Sequence, residues 1–375
     1  MLRICHLITD LDIGGAEMSL FRLLSAIDRD RYACSVISLL EPGPVGRRIQ
    51  ELGIQVESLG LRRGAVSLPG VSRLVVDLRR NRPDVLMTWL YHADLLGLIA
   101  GKLTGVRSIV WNLRASDMDM SNYRPLSALT LRTCAALSHL PTAVLVNSER
   151  GRAYHSQIGY HPRGWVLIRN GVDPAQFKPD RSARDDVRRE LGLSPEDLLI
   201  GLVARFDPMK DHSNFMAAAR LVAQHEKAVH FALAGKGTGC DNHSLSADLE
   251  RPPLAGRLHL LGERFDMPRL TAAFDVACSS SLSEAFPNTV VEAMACGVFC
   301  VVTDAGDSAA IVGETGVVVP RGNPDALSQG LLHAVAMGPA KRQAEGQAAR
   351  ERVIRNFGLE RFVREYQDFF ARIGS

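Results

Sequence analysis

Short runs of β-branched and other apolar residues alternate along the chain with longer stretches of helical periodicity. That rhythm predicts βα units feeding a parallel sheet. In the first half the runs are Arg3–Leu7, Ala33–Ser38, Gln55–Ser58, Val85–Thr88, Arg107–Trp111 and Ala143–Asn147. Between them apolar positions recur at helical spacing, as in Gly15–Ala26, Pro44–Leu52 and Val71–Asn81. Val166–Ile168 reads as a further strand, stopped by the turn Asn170-Gly171. A charged segment, Lys178 to Arg189, follows, and then the alternation restarts. Strands are predicted at Leu199–Ala204, His230–Ala234, Leu258–Leu261, Val276–Ser279, Phe299–Thr303 and Gly316–Val319. Two successive α/β halves joined near residues 164–175 satisfy this pattern, with no tandem repeat and no low-complexity segment. The last stretch, Arg350 to Ile373, carries Val353, Phe357, Phe362, Tyr366, Phe369 and Phe370, and predicts one or two helices with an aromatic face to bury.

Length and composition agree with this reading. The chain has 375 residues, enough for two ordinary domains, and its 46% hydrophobic and 23% charged content suits a globular protein with a sizeable core. The most apolar window, Leu95–Leu103, is interrupted by Lys102 and falls well short of the roughly 18 residues a membrane span needs. The start, Met1-Leu2-Arg3-Ile4-Cys5, runs directly into a strand, so a secretory leader is not expected. Seven cysteines, scattered from Cys5 to Cys300, make no disulfide framework. Cys296 and Cys300 have no second pair nearby, which leaves little for a zinc reading, and a reducing, cytoplasmic setting is expected. Charge changes the picture in one respect. Residues 1–167 carry 20 Arg and Lys against 14 Asp and Glu, or +6; the remainder carries 24 against 27, or −3. An Arg-rich half suits an anionic lipid surface, a nucleic acid or a phosphorylated acceptor, or is simply a solvated face.

The chemistry concentrates in Ser283-Glu284-Ala285-Phe286-Pro287-Asn288-Thr289-Val290-Val291-Glu292-Ala293-Met294-Ala295-Cys296-Gly297. A strand (Val276–Ser279) ends just before it, Pro287-Asn288 offers a helix cap, and Thr289–Cys296 reads as a helix closing at Gly297. Glu284 is therefore expected on a loop at the carboxyl end of a strand, and Glu292 in the early part of the next helix. In an open α/β sheet ligands bind there, and a helix start suits a diphosphate.

Two glutamates at this spacing, followed by Ala-Met-Ala-Cys-Gly, resemble the acidic signature of the family 4 retaining glycosyltransferases. The resemblance implies the GT-B fold, an α/β architecture of two Rossmann-like domains facing each other across a cleft. It implies that Glu292 binds the donor ribose and that Glu284 lies beside the transferred sugar. Asn288 and Thr289, at the helix start, join the donor-binding set. Ile200 to Asp211 resembles the family's diphosphate-binding segment, with Arg205 and Lys210 as the fixed cations that a departing diphosphate requires. Ala234-Gly235-Lys236-Gly237 and Leu261-Gly262-Glu263-Arg264 resemble two donor-domain loops, which adds Gly235 and Arg264. Asp12-Ile13-Gly14-Gly15-Ala16-Glu17 follows the first strand and opens a helix; Gly14 and Gly15 are expected to let a phosphate or an acceptor approach the backbone. Asn170-Gly171-Val172-Asp173 with Phe177 resembles the family's interdomain segment. The likeness runs from Gly14 to about Gly316. It departs where many relatives carry a His after the fifth strand: here Arg114 takes that place, which would suit an acidic sugar or acceptor. His92 is a further residue expected to line the cleft.

The division implied is 1–167 for an acceptor-binding domain and 168–350 for a donor-binding domain, with 351–375 a C-terminal helix packing back on the first. The activity implied is retaining transfer from a nucleotide diphosphate-sugar, a UDP-sugar above all, to a hydroxyl acceptor in the building of surface polysaccharide or glycolipid. No metal or other cofactor is expected; Asp10/Asp12, Asp28/Asp30 and Asp117/Asp119 form Asp-x-Asp triplets, but none lies in the donor half. The partners expected are the donor, a lipid-linked or saccharide acceptor and the anionic inner leaflet, met through Arg62-Arg63 and Arg79-Arg80-Asn81-Arg82, and not nucleic acid. A nucleotide-sugar epimerase of the same fold and a non-catalytic nucleotide-sugar or membrane-binding module are the competing readings. A dehydrogenase lacks support, because no Gly-x-Gly-x-x-Gly follows the first strand.

Overall fold

A computed structural model describes residues 1–61, 68–116 and 125–374. The chain forms two compact units: Met1–Gly171 with Leu359–Ser375, and Val172–Gly358. The first unit runs β1 (Leu2–Ile8), α1 (Gly15–Ala26), β2 (Tyr32–Ser38), α2 (Pro44–Glu51), β3 (Val56–Ser58), α3 (Leu68–Asn81) and β4 (Val85–Trp89). It continues through α4 (Tyr91–Thr104), β5 (Ser108–Leu113), α5 (Pro125–Leu137), β6 (Ala143–Val146), α6 (Glu149–Gln157) and β7 (Trp165–Leu167). Among the described residues these strands form one sheet of order β3-β2-β1-β4-β5-β6-β7, with every pairing parallel.

The second unit opens with α7 (Arg181–Glu190) and continues β8 (Leu198–Val203), α8 (His212–His225), β9 (Val229–Ala234), α9 (His243–Ser246), β10 (Leu258–Gly262) and α10 (Met267–Ala272). Then come β11 (Val276–Ser279), α11 (Asn288–Ala295), β12 (Phe299–Thr303), α12 (Ser308–Val312), β13 (Gly316–Val319), α13 (Pro324–Ala336) and α14 (Pro339–Phe357). Its strands form an all-parallel sheet of order β10-β9-β8-β11-β12-β13. Both sheets are covered on two faces, which is why their strands read as nearly continuous apolar runs. In the second unit one face packs Val290, Met294 and Val353 over the sheet, and the other packs Phe215, Ala219 and Leu327.

The aromatic stretch at the C-terminus is two helices serving two cores. Val353 and Phe357 end α14 inside the second unit, and Gly358 is extended. The next helix, α15 (Leu359–Gly374), lays Phe362, Tyr366, Phe369 and Phe370 against β1, β4 and α1 of the first unit. The division therefore falls at 171/172 and 358/359, not at 167/168 and 350/351. Residues 351–358 stay with the second unit because Val353 and Phe357 are buried there and Arg350, one turn earlier, donates to the carbonyls of Phe177 (3.0 Å), Pro174 (3.1 Å) and Ala295.

One carboxyl in the first unit is fully buried among apolar residues. Asp94, in the first turn of α4, is fully buried; its Oδ1 accepts from the Thr88 hydroxyl at 2.5 Å, and its Oδ2 has no partner among the described residues. Burial pushes its pKa up to about 8, against the opposing effect of the Thr88 hydrogen bond. An unfolded aspartate ionises near 3.8, so between that pH and about 8 the folded chain holds a proton the unfolded chain has released. Stability from this group is full at low pH and lost as pH rises through about 8. Asp94→Asn keeps an acceptor for Thr88 and removes the titration. Urea denaturation across pH 5–9 is expected to show the variant gaining on the wild-type chain as pH rises; a constant difference would contradict the assignment.

Candidate active site

Parallel sheets send all strand carboxyl ends to one edge, and neighbouring loops part where the strand order reverses. In the second unit that switch lies between β8 and β11, which pair Ile200 with Val276 and Leu202 with Cys278. The loop after β8 carries Arg205 and Lys210, and the loop after β11 carries Glu284. They meet: the Lys210 ammonium donates to Glu284 Oε1, an ion pair spanning 74 residues of sequence. Both side chains are largely shielded, so the pair is screened less than a surface bridge. Ser281 Oγ also donates to Glu284 Oε1, at 2.8 Å.

The two loops are tied by backbone as well. Leu282 N–H donates to the Met209 carbonyl at 2.9 Å, Ser280 Oγ to the Lys210 carbonyl at 2.8 Å, and Thr303 Oγ1, at the end of β12, to the Ser281 carbonyl at 2.6 Å. Arg205 is more exposed, and its Nε and Nη2 reach Asp207 Oδ2 at 3.0 and 2.9 Å. Burial works to raise the Asp207 pKa, but the Met209 N–H and the Arg205 guanidinium outweigh it and hold the carboxyl below its usual range. Asp207 is thereby fixed as an anion that aims Arg205.

The helix α11 begins at Asn288, so Asn288 is its first residue and not its cap. Pro287 stands in the cap position and offers no side-chain acceptor to the helix. Its N-terminus keeps the partial positive charge that suits an anion. Thr289 is half-buried beside Val203, Thr271 and Phe274, and Glu292 lies a turn into the helix, also half-buried. The helix closes at Cys296 with Gly297 left-handed (φ +70°), as the sequence predicts. Two other glycines fit only as glycines. A Cβ on Gly235 (φ +147°) would lie 2.2 Å from the Ala204 carbonyl oxygen, and one on Gly306 (φ +57°) 2.0 Å from that of Glu284.

Three predicted residues take on unexpected surroundings. Arg264 donates from Nε and Nη2 to Asp266 (2.8 and 2.7 Å) and from Nη1 to Glu190 (2.5 Å), so its side chain is committed and its backbone is what remains for a ligand. Arg114 turns into the first unit. Its guanidinium lies 4.6 Å from the Trp89 ring centroid and donates to Tyr366 Oη at 2.5 Å and to Asn170 Oδ1. Burial lowers its pKa, with Tyr366 and Glu17 opposing. Arg114 fastens α15 to the sheet, and two of its guanidinium nitrogens are committed to that contact and to Asn170. Gly14 caps α1, and a Cβ there would lie 2.2 Å from Glu17 Oε2. The buried Glu17 carboxylate thus already stands at this helix start, which disfavours a phosphate and leaves the acceptor half of the expectation.

His92 is the second residue of α4, and burial lowers its pKa. It follows Leu90, held at φ +74°, an uncommon conformation for a side-chain-bearing residue, just after β4. Since β1 and β4 flank the switch of the first sheet, Gly14-Gly15 and His92 leave from adjacent strands. Two Asp-x-Asp triplets are local turns, with the Asp12 and Asp30 N–H groups donating to Asp10 Oδ1 (3.3 Å) and Asp28 Oδ1 (3.0 Å); Asp117/Asp119 lie outside the described residues. Burial pushes the Cys296 and Cys300 thiols up to about 12. One residue escaped the sequence reading. His212 begins α8 beside the cation loop, 3% exposed, with its ring facing the Ala204 backbone and 5.1 Å from the ring of Phe206. Burial lowers its pKa to about 4, so the ring is neutral. The signal was present in Lys210-Asp211-His212, but the resemblance assigned roles only to the cations.

Comparison with known proteins agrees with this geometry. Residues 197–336 match the model for glycosyl transferases group 1, and residues 13–176 that for glycosyltransferase family 4. The chain belongs to glycosyltransferase family 4. Among curated relatives, EpsF of Bacillus subtilis is 24% identical over 81% of this chain and 79% of its own. An Escherichia coli UDP-Gal:α-D-GlcNAc-diphosphoundecaprenol α-1,3-galactosyltransferase is 25% identical over 63% of this chain, a match spanning 61% of that enzyme. Anabaena HepE, solved with UDP and glucose, superposes with a TM-score of 0.86 over 99% of this chain and 100% of its own at 24% identity, a likeness of fold. This glycosyltransferase has the GT-B fold of two Rossmann-like units.

The Gly306 contact makes a testable demand. Gly306→Ala combines a left-handed backbone with an overlap on the Glu284 carbonyl, and is expected to cost about 1–3 kcal/mol from strain alone. Chemical denaturation measures this, and wild-type stability would show that Glu284 is not held from below.

Proposed function

We propose that this glycosyltransferase moves a sugar from a UDP-sugar to a hydroxyl of a lipid-linked saccharide, with retention of anomeric configuration. The Lys210–Glu284 pair at the β8/β11 switch carries the reading. A glutamate that holds a lysine among backbone-tied loops pre-positions a cation where a departing diphosphate builds charge. In this reading Arg205, aimed by Asp207, and the start of α11 at Asn288 and Thr289 share that charge. Glu292 accepts hydrogen bonds from the ribose hydroxyls, and the backbone at Gly235 and Arg264 borders the nucleotide.

The anomeric carbon–oxygen bond to the diphosphate breaks as the bond to the acceptor oxygen forms, and the acceptor's proton passes to the departing phosphate oxygen. No external reductant, oxidant or water is consumed. Glu284 lies beside the transferred sugar and orients it, while Gly14, Gly15 and His92 of the first unit serve the acceptor. The E. coli relative, named for a UDP-galactose donor and a diphosphoundecaprenol-linked acceptor, supports the choice of both substrates, and UDP in the HepE structure accords with the choice of nucleotide.

The test incubates the full chain with a panel of UDP-sugars, each with and without a saccharide linked to a polyprenyl diphosphate, and follows UDP release and product configuration by NMR. Transfer with retention is expected for one donor, and Lys210→Ala is expected to lower kcat by about 100- to 1,000-fold. Donor converted to its epimer without acceptor would replace this reading with epimerisation. Donor binding that survives Glu284→Ala with no transfer to any acceptor would indicate a binding module.

A further inference from the structure

Three helices of the first unit, α3, α4 and α5, lie side by side over one face of its sheet, α4 touching both others. Their inner residues fill two adjoining clusters: Leu74 and Leu78 of α3 and Ala93 and Ala100 of α4 in one, Leu131 and Cys134 of α5 in the next. Successive right-handed crossovers from β3 to β6 put all three on the same side, opposite α1, α2 and α15.

Their outward stripes repeat one composition. On α3, Val76 (59% exposed) has Arg73 three residues before it and Arg80 four after, one helical stripe. On α4, Ile99 and Leu103 (63% exposed) lie one turn apart with Lys102 between them, and on α5, Leu126 and Leu129 (61% exposed) lead to Arg132. No carboxylate on these helices is exposed: Asp77 is half-buried and Asp94 buried. Arg73, Arg79, Arg80, Lys102 and Arg132 make no ion pair with any described residue. Five large apolar side chains thus stand in water among unpaired cations, on neighbouring helices.

We infer that this three-helix face docks the enzyme on an anionic lipid surface. Cations alone would suit nucleic acid, which gains nothing from exposed Leu and Ile. Apolar side chains alone would suit a second copy, but two copies meeting through this face would bring like charges together. A bilayer with acidic headgroups rewards both at once: arginine and lysine at headgroup depth, leucine and isoleucine just below. The contact is peripheral in kind, since no helix among the described residues is long and apolar enough to cross a membrane. The basic stretch expected from sequence, Arg79-Arg80-Asn81-Arg82, ends this face, whereas Arg62-Arg63 lie outside the described residues. The inference does not depend on the donor, the acceptor or the reaction, and its test contains none of them.

The experiment is co-sedimentation of the full chain with vesicles of phosphatidylcholine alone and of phosphatidylcholine with phosphatidylglycerol. Partitioning is expected only onto the anionic vesicles and should weaken steeply between 0.1 and 0.5 M salt. The variant Arg73→Glu/Arg80→Glu/Lys102→Glu/Arg132→Glu is expected to lower the partition coefficient at least about 100-fold. Ile99→Ser/Leu103→Ser/Leu129→Ser is expected to lower it about 10-fold or more while keeping the salt dependence. Far-UV circular dichroism and Tm confirm that each variant is folded, and either one alone tests the face. Equal binding to neutral vesicles, no binding by the wild-type chain, or binding unmoved by both sets would overturn the inference. So would a wild-type dimer in solution that the serine set dissociates, which would assign the face to a second copy.

Discussion

Because every strand in the second sheet is parallel, each strand delivers its following loop to one edge. That constraint places the cations after β8, the glycine after β9, the Arg264 loop after β10, Glu284 after β11 and Gly306 after β12 along a single rim. Sequence separation then ceases to matter. Lys210 and Glu284 meet because β8 and β11 are adjacent at the switch, where diverging helices leave room for a ligand. An antiparallel pairing at either strand would send one of the two to the opposite edge.

An ion pair in a partly shielded loop region is not by itself a strong stabiliser, since desolvation offsets much of the attraction. What gives this one a defined geometry is the lattice of backbone contacts beneath it. Met209, Lys210 and Ser281 accept hydrogen bonds from the opposing loop or from Thr303, and Gly306 lies under the Glu284 carbonyl without a side chain. The glycine's role is steric, because any Cβ would lift the loop that carries Glu284. The same logic applies at Gly235, under the start of the Arg205 loop. The charge pattern and the glycine pattern are two parts of one device.

Much of this was legible in the sequence. The apolar runs predict every strand to within a residue or two, because strands buried on both faces leave little room for polar positions. The start and stop of α11 were equally readable from Pro287 and Gly297. What escaped depends on partners distant in sequence. Arg114 was singled out because it takes the place of a family histidine, yet its surroundings come from Trp89, Asn170 and Tyr366, the last 252 residues away. Glu17 carried no role in the sequence, and only its position over Gly14 shows that the helix start is already occupied by a carboxylate. The split of the terminal aromatics was illegible for a similar reason. Periodicity tells which residues are buried but not in which core, and Gly358 gives no sign that Phe357 and Phe362 belong to different units.

That split also accounts for the place of α15 in the first unit. The first sheet has α1 and α2 on one face and α3, α4 and α5 on the other, and the centre of the first face, over β1 and β4, is filled by α15. Its aromatic stripe packs there with His6, Trp89 and Tyr32, and Tyr366 joins Arg114 and Asn112 by hydrogen bonds. Since α15 supplies that layer, the first unit is completed only after the second has been synthesised. The segments before Val172 and after Phe357 are held together by the Val172 N–H, which donates to the Phe357 carbonyl at 2.9 Å. Burying Tyr366 and Phe370 therefore makes the first unit's core depend on a helix encoded beyond the second unit, so its stability and the placement of Trp89, next to the strained Leu90 and His92, are set by the same packing.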